Sequence, residues 1–270
     1  MTPRKRASKR LTQNPFLHAK REAQEIIERF HISAADQIDL SAIAGFHDIY
    51  CIEAKLEGAD ARLQLINNTG MITLRADIPE VGRKRFAVAH EIGHFVLHRA
   101  HQHIRACSEV EFLQWYDKCT EEPEANVFAS ELIMPETLFA RQCRGMKPGF
   151  GAVAELATIF GTSITSTAYR YVEVGNYPCA LVATKDSIIS WFTASRDFRY
   201  RLRKCGSLVA KDSCAGDYFC LGHRPPEKPE PVLATLWLEN SFPEITRVEL
   251  YEHAIAMPTY KTVLSMLWYK

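Results

Sequence analysis

Two histidines and a glutamate lie close together in the stretch RFAVAHEIGHFVLH, residues 85–98. His90 and His94 are four residues apart, so on a helix both imidazoles project from one face, about one turn apart. Two imidazoles at this separation can bind one Zn²⁺ at about 2.0–2.1 Å each. Glu91 lies one step further round the helix, where it cannot easily be a ligand but can act as general base on water. The spacing predicts a zinc-dependent hydrolase, although the same pattern also occurs by chance in metal-free helices.

The residues around this motif favour a helix. Phe86, Ala89, Gly93 and Leu97 recur at helical spacing. A glycine inside a helix costs about 1 kcal/mol relative to alanine, and a metal or substrate backbone pressed against that face would explain Gly93. The apolar setting also predicts that the histidines are at least partly buried.

A catalytic zinc site needs a third protein ligand, and acidic residues are concentrated in a second predicted helix, residues 120–135. On a helical wheel Glu121 and Glu122 lie near the apolar face, whereas Glu124 and Glu131 lie about 100° or more from its centre. We therefore expect Glu124 and Glu131 to be solvated. The wheel alone leaves Glu121 and Glu122 as alternatives. The apolar face itself is formed by Ala125, Phe128, Ala129, Leu132 and Ile133.

Together the two stretches resemble the ImmA/IrrE family of metallopeptidases. The matching patterns are RFxxAHExGHxxLH from residue 85 and ExxANxFAxELxMP from residue 122. The resemblance implies a zincin-like fold with Zn²⁺ held by His90, His94 and Glu122, and with Asn126 steadying a ligand. It also implies a substrate: a separate helix-turn-helix repressor, which is cleaved to derepress stress-response or mobile-element genes.

Further residues are candidates for the same site. His98 and Tyr116 are candidates for an oxyanion-stabilising or proton-donating group, and His98 is alternatively a cation at the helix C-terminus. The predicted strand containing Ile72, Thr73 and Leu74 precedes the zinc helix by a few residues. It is either a sheet edge that binds an extended peptide substrate or an ordinary core strand.

Composition limits the class of protein. The chain has 270 residues, of which 47% are hydrophobic and 24% charged, as in soluble globular proteins. A net charge of +1 does not indicate a global attraction to nucleic acid or membranes. Without an apolar segment long enough for a membrane span or a secretory signal, and with eight cysteines expected to be reduced, the sequence predicts a cytoplasmic protein.

The predicted fold class is α+β, with four segments. Residues 1–15 form a basic tail, and residues 16–146 the zincin-like core. Residues 147–175 form helix-turn-helix-like helices packed on that core. Residues 176–270 are predicted to be a smaller α+β domain of strands joined by turns, and the resemblance implies a GAF-like sensor there.

Two features leave other functions open. The helix-turn-helix-like segment would place Thr165, Ser166, Tyr169 and Arg170 at DNA if the chain were a transcriptional regulator with a structural zinc. The predicted strand Phe198–Leu202 alternates apolar side chains with arginines, which are either solvated or bind an anion. A catalytically silent zinc-binding interaction module is the third alternative.

Overall fold

The computed structural model describes residues 14–98, 105–107, 121–239 and 243–269. These residues form two compact units, Met1–Pro135 and Glu136–Lys270. Each unit combines helices with one β-sheet, so the predicted α+β class is confirmed. Nearly all of the predicted basic tail lies outside the described residues, as does Tyr116. No helix within the described ranges is long and apolar enough to cross a membrane.

The first unit contains four helices and four strands among its described residues. They are α1 (Pro15–Arg29), α2 (Leu40–Phe46), β1 (Ile49–Ala54), β2 (Ala61–Ile66), β3 (Thr69–Arg75), α3 (Val81–His98), β4 (Arg105–Cys107) and α4 (Glu121–Ile133). The strand order is β1-β3-β2-β4. Strands β2 and β3 form a hairpin joined through Asn67 and Asn68, which both have positive φ.

Strand β3 is an interior strand, which agrees with the second of the two alternatives that the sequence left open. It pairs with β1 in parallel and with β2 antiparallel, so its backbone is hydrogen-bonded on both sides. Ile72 and Leu74 are buried, whereas Thr73 on the opposite face is half-buried. Ile72, Thr73 and Leu74 therefore belong to a core strand and not to a peptide-binding edge.

Helix α4 is buried on more of its circumference than its sequence pattern predicts. It packs against α3 and also against α1. Glu131, expected in solvent, is buried because α1 covers it: Gln24 Nε2 donates to Glu131 Oε1 at 3.1 Å, and Lys20 Nζ lies 3.9 Å from Oε2. A wheel drawn for one contact face cannot anticipate a second helix on the opposite side.

The second unit begins at Glu136. Its elements are α5 (Glu136–Cys143), α6 (Phe150–Phe160), α7 (Ile164–Val174), β5 (Cys179–Lys185), β6 (Ile188–Ala194), α8 (Cys214–Leu221), β7 (Glu230–Leu233), β8 (Glu249–Met257) and β9 (Thr262–Tyr269). The antiparallel strand order is β6-β5-β9-β8-β7. The predicted strand Phe198–Leu202 is absent, and the segment has only a single bridge to the other described residues, from Leu202 to Leu238.

The helix pair α6–α7 is part of this second unit, which differs from the predicted boundaries after residues 146 and 175. Gly161 ends α6 in a left-handed conformation, and the Ser163 side chain caps α7. Helix α7 packs against β5 and β6, and the Phe150 N–H at the start of α6 donates to His253 Nδ1 on β8. These contacts with the C-terminal sheet place the pair in that unit.

A buried glutamate lies in the core of the second unit. Glu252 accepts hydrogen bonds from the Trp237 indole, the Ser265 hydroxyl and the backbone N–H groups of Cys214 and Ala215 at the start of α8. Burial raises the pKa of Glu252, while these donors act in the opposite direction. The network satisfies a polar group in the core and links α8, β8 and β9.

Candidate metal centre

The imidazoles of His90 and His94 meet on the side of α3 that packs against α4. Their Nε2 atoms are 3.0 Å apart, and both side chains are buried. Their four-residue spacing places both rings on one face of α3, as the sequence pattern predicts. The buried Phe86 ring, one turn before His90, stacks against the His90 ring with centroids 6.3 Å apart.

Glu122 completes the group from the first turn of α4. Its carboxylate oxygens lie 3.2 Å from His90 Nε2 and 3.3 Å from His94 Nε2. Potential ligand atoms of His90, His94 and Glu122 all lie within 4.8 Å of one another. Two imidazoles and one carboxylate thus converge on one point, and Glu122 is the acidic residue of α4 in this cluster.

Asn126 lies beside this group, one turn further along α4. Its Oδ1 is 3.0 Å from His90 Nδ1, and both side chains are buried. Because an amide oxygen can only accept, the Nδ1 atom of His90 carries the proton and its Nε2 lone pair faces the cluster. Two ring nitrogens and a carboxylate directed at one point form a set of acceptors that a cation would satisfy, so the residues present fit a metal ion.

The protonation states favour the same conclusion. Burial lowers the pKa of His94 to about 4, and the hydrogen bond to Glu122 only partly opposes this, so the ring is neutral at pH 7. Burial raises the pKa of Glu122, but the contacts with the imidazoles of His90 and His94 outweigh it and hold the pKa well below its usual range. Neutral imidazole and ionised carboxylate are the forms that bind metals.

Glu91 is buried on α3, directly after His90. It is not one of the three converging residues. Glu91 therefore lies next to His90 in the chain but outside the group that could hold a metal.

His98 and Glu124 form a separate contact at the edge of the cluster. His98 Nε2 and Glu124 Oε2 are 2.9 Å apart, and the His98 ring centroid lies 5.6 Å from that of His94. Glu124 is half-buried, which corrects its predicted solvation, because the last turn of α3 supplies a histidine opposite it. His98 thus joins α3 to α4 and is not one of the three converging side chains.

Gly93 allows α3 and α4 to approach each other closely. This packing explains the glycine, whereas the sequence suggested a metal or a substrate backbone against the same face. A Cβ atom at Gly93 would lie 2.9 Å from Cδ1 of the buried Phe128 and 3.3 Å from the Ala125 backbone. The glycine therefore accommodates α4, the helix that carries Glu122. Its helix-propensity cost of about 1 kcal/mol is offset by this packing.

We expect Gly93→Ala to weaken both the fold and the metal centre. Overpacking typically costs about 1–3 kcal/mol, which exceeds the gain of about 1 kcal/mol in helix propensity. The shift of α4 should also displace Glu122 and lower metal affinity. Thermal denaturation and titration with Zn²⁺ measure the two effects.

Gly151 provides the matched control, since it lies in α6 and a Cβ atom there would have no heavy atom within 4 Å. Gly151→Ala should leave metal affinity unchanged and stability equal or slightly higher. Wild-type metal affinity in Gly93→Ala would contradict the role assigned to this glycine.

Comparison with known proteins agrees with the sequence resemblance. Residues 44–171 match the family model described as Peptidase_M78, IrrE N-terminal-like domain. A search of curated proteins found no match. A solved structure described as a Mycobacterium tuberculosis transcriptional regulator is similar in fold, with a TM-score of 0.57 and 13% sequence identity, covering 95% of this chain and 77% of that one.

The matched region contains all of α3 and α4, and hence the whole cluster. This match supports the assignment of the region to the ImmA/IrrE family. The family model supports a metallopeptidase-like role, and the matched region contains a group of residues able to hold a metal ion.

Proposed function

We propose that the protein is a zinc-dependent endopeptidase in which His90, His94 and Glu122 hold the metal. The observation that carries the proposal is the convergence of these three groups beside the buried Glu91. Two imidazoles and one glutamate form a common ligand set of catalytic zinc sites, which keep one position open for water or substrate. Structural zinc sites instead have four protein ligands as a rule.

The protein's own groups would act as follows. Bound Zn²⁺ would polarise the scissile carbonyl and activate water. Glu91 takes a proton from the attacking water and later donates it to the amine of the leaving peptide, which restores the carboxylate. Asn126 holds the His90 ring in the orientation and tautomer that a ligand needs.

The substrate that we propose is a separate helix-turn-helix repressor, whose cleavage would derepress stress-response or mobile-element genes. This follows from the family resemblance. The similar structure described as a transcriptional regulator is consistent with a role in gene control.

The DNA-binding alternative is disfavoured by the position of Arg170 on α7. Its guanidinium is 2% exposed, and Nη1 lies 2.7 Å from Glu173 Oε2. The predicted recognition helix is thus without its one arginine for contacts with DNA, and it packs against β5 and β6. Peptide hydrolysis accounts for the described arrangement better than readout of bases by this helix.

Co-expression with candidate repressors tests the proposed substrate. We expect one repressor to be cut at a defined bond when the wild-type chain is present and to stay intact beside Glu91→Gln. Mass spectrometry of the fragments locates the bond. Equal fragments with both variants would assign the cut to another protease, and intact repressors with zinc-loaded wild-type protein would contradict the proposed substrate class.

A further inference from the structure

The second unit carries a concentrated basic segment, residues 196–204, between β6 and α8. It contains five basic side chains and one acidic side chain, a net charge of +4, while the whole chain has a net charge of +1. The metal centre and the helix pair α6–α7 do not include these residues. The segment therefore needs an explanation of its own.

Backbone hydrogen bonds anchor this basic segment near both of its ends. The Arg203 N–H donates to the Trp237 carbonyl at 2.9 Å, and the Glu239 N–H donates to the Arg201 carbonyl at 2.8 Å. At its start, the Tyr269 hydroxyl donates to the Asp197 carbonyl at 3.1 Å. The basic side chains are thus attached to a fixed backbone.

Alternation along the segment separates an apolar side from a basic side. Phe198 and Leu202 are buried, and Tyr200 packs against Tyr269 with ring centroids 5.2 Å apart. The intervening Arg199 and Arg201 are exposed. The two arginines therefore lie on the exposed side of the segment, and the aromatic and aliphatic side chains between and beside them lie on the buried side.

The exposed cations of the segment do not serve an internal ion pair. Among the described residues, Arg196, Arg199, Arg201 and Lys204 form no salt bridge. Glu239 lies opposite Arg201, next to the β-bridge between Leu202 and Leu238, but the two side chains form no salt bridge. Arg203 differs, because its guanidinium donates to the Leu236 carbonyl. Four exposed positive charges thus remain available to a ligand.

We propose that this basic segment binds the phosphate backbone of a nucleic acid without sequence preference. A nucleic-acid strand carries one phosphate charge per nucleotide, so a cluster of four exposed cations can contact several phosphates of the same strand. Guanidinium groups also bind phosphate through paired hydrogen bonds. This surface is separate from the predicted recognition helix and independent of the metal centre.

Binding of the full-length protein to a fluorescent 20-base-pair duplex of arbitrary sequence tests the proposal. Affinity should fall steeply between 50 and 200 mM salt. The double variant Arg199→Gln/Arg201→Gln should bind roughly tenfold or more weakly, with a salt slope smaller by about two, because each phosphate contact contributes about one. Duplexes of different sequence should lose affinity equally.

A charge-matched control separates location from net charge. Arg224→Gln/Lys228→Gln removes two exposed charges from the loop between α8 and β7, and should reduce affinity less than twofold. The proposal would be overturned if both double variants lost duplex affinity equally. It would also be overturned if Arg199→Gln/Arg201→Gln lost none. A third result would also overturn it: Arg199→Gln/Arg201→Gln binds the duplex as tightly as the wild-type protein but binds polyglutamate or phosphatidylserine vesicles more weakly. The surface would then recognise a different partner.

Discussion

Replacing Glu91 with glutamine is expected to lower peptide cleavage by roughly 10²–10⁴-fold, the range for a positioned acid–base group. The substitution preserves the size of the side chain and its ability to form hydrogen bonds, but removes the proton acceptor. Because Glu91 lies outside the three converging groups, zinc content should stay near the wild-type value. In this variant the cleavage rate should therefore fall while the zinc content stays unchanged.

Single-turnover cleavage of the mapped repressor, together with elemental analysis, measures both quantities. Glu131→Gln is the matched control, since it neutralises a similarly buried glutamate on α4 that contacts α1. It should cleave within a few-fold of wild type. Wild-type cleavage by zinc-loaded Glu91→Gln would reject Glu91 as the base. Biological function retained without cleavage would instead favour the silent interaction module.

The core of the site could be predicted because its geometry is local. His90 and His94 share a helix, so their spacing alone fixes their relation. Glu122 lies on a different helix, and the wheel could not distinguish it from Glu121 until the family resemblance was added. The structure brings Glu122 to the histidines because α3 and α4 pack closely at Gly93.

The errors arose where long-range packing decides a residue's environment. Glu124 and Glu131 are polar positions on α4, but His98 and α1 cover them. The apolar alternation of β3 identified a strand without revealing that β1, from earlier in the chain, pairs on its free side. A local sequence pattern predicts a helix or strand and one of its buried faces. The helices and strands that pack against it are determined by residues far away in the chain.

The helix pair α6–α7 illustrates the same limit for function. Its turn glycine and capping serine are local signals, and both are found in the structure. Arg170 could contact DNA only if its side chain were exposed. The rest of the second unit buries it, and a helix-turn-helix pattern does not encode that packing. The alternating arginines near residue 200 show the converse: the predicted strand is largely absent, yet the basic side stays exposed.

Removing a ligand should have the largest effect on the metal itself. We expect His90→Ala and Glu122→Ala to lose both zinc and cleavage, because each removes one of three converging groups. Asn126→Ala should have a smaller effect, since loss of a hydrogen bond to a ligand typically lowers metal affinity by about 10–100-fold. The ligand variants should exceed that range.

Glu121→Ala provides the sharpest comparison, because Glu121 is the neighbouring acid on α4 and was the alternative third ligand. Glu121 does not belong to the converging group, so the zinc affinity of the Glu121→Ala protein should remain near that of the wild-type protein. Competition with a chromophoric chelator measures all four affinities, and denaturation of the metal-free proteins shows whether the folds are comparable. Equal zinc loss from Glu121→Ala and Glu122→Ala would overturn the assignment of Glu122, which rests on the distances of 3.2 and 3.3 Å from its carboxylate oxygens to the two imidazoles.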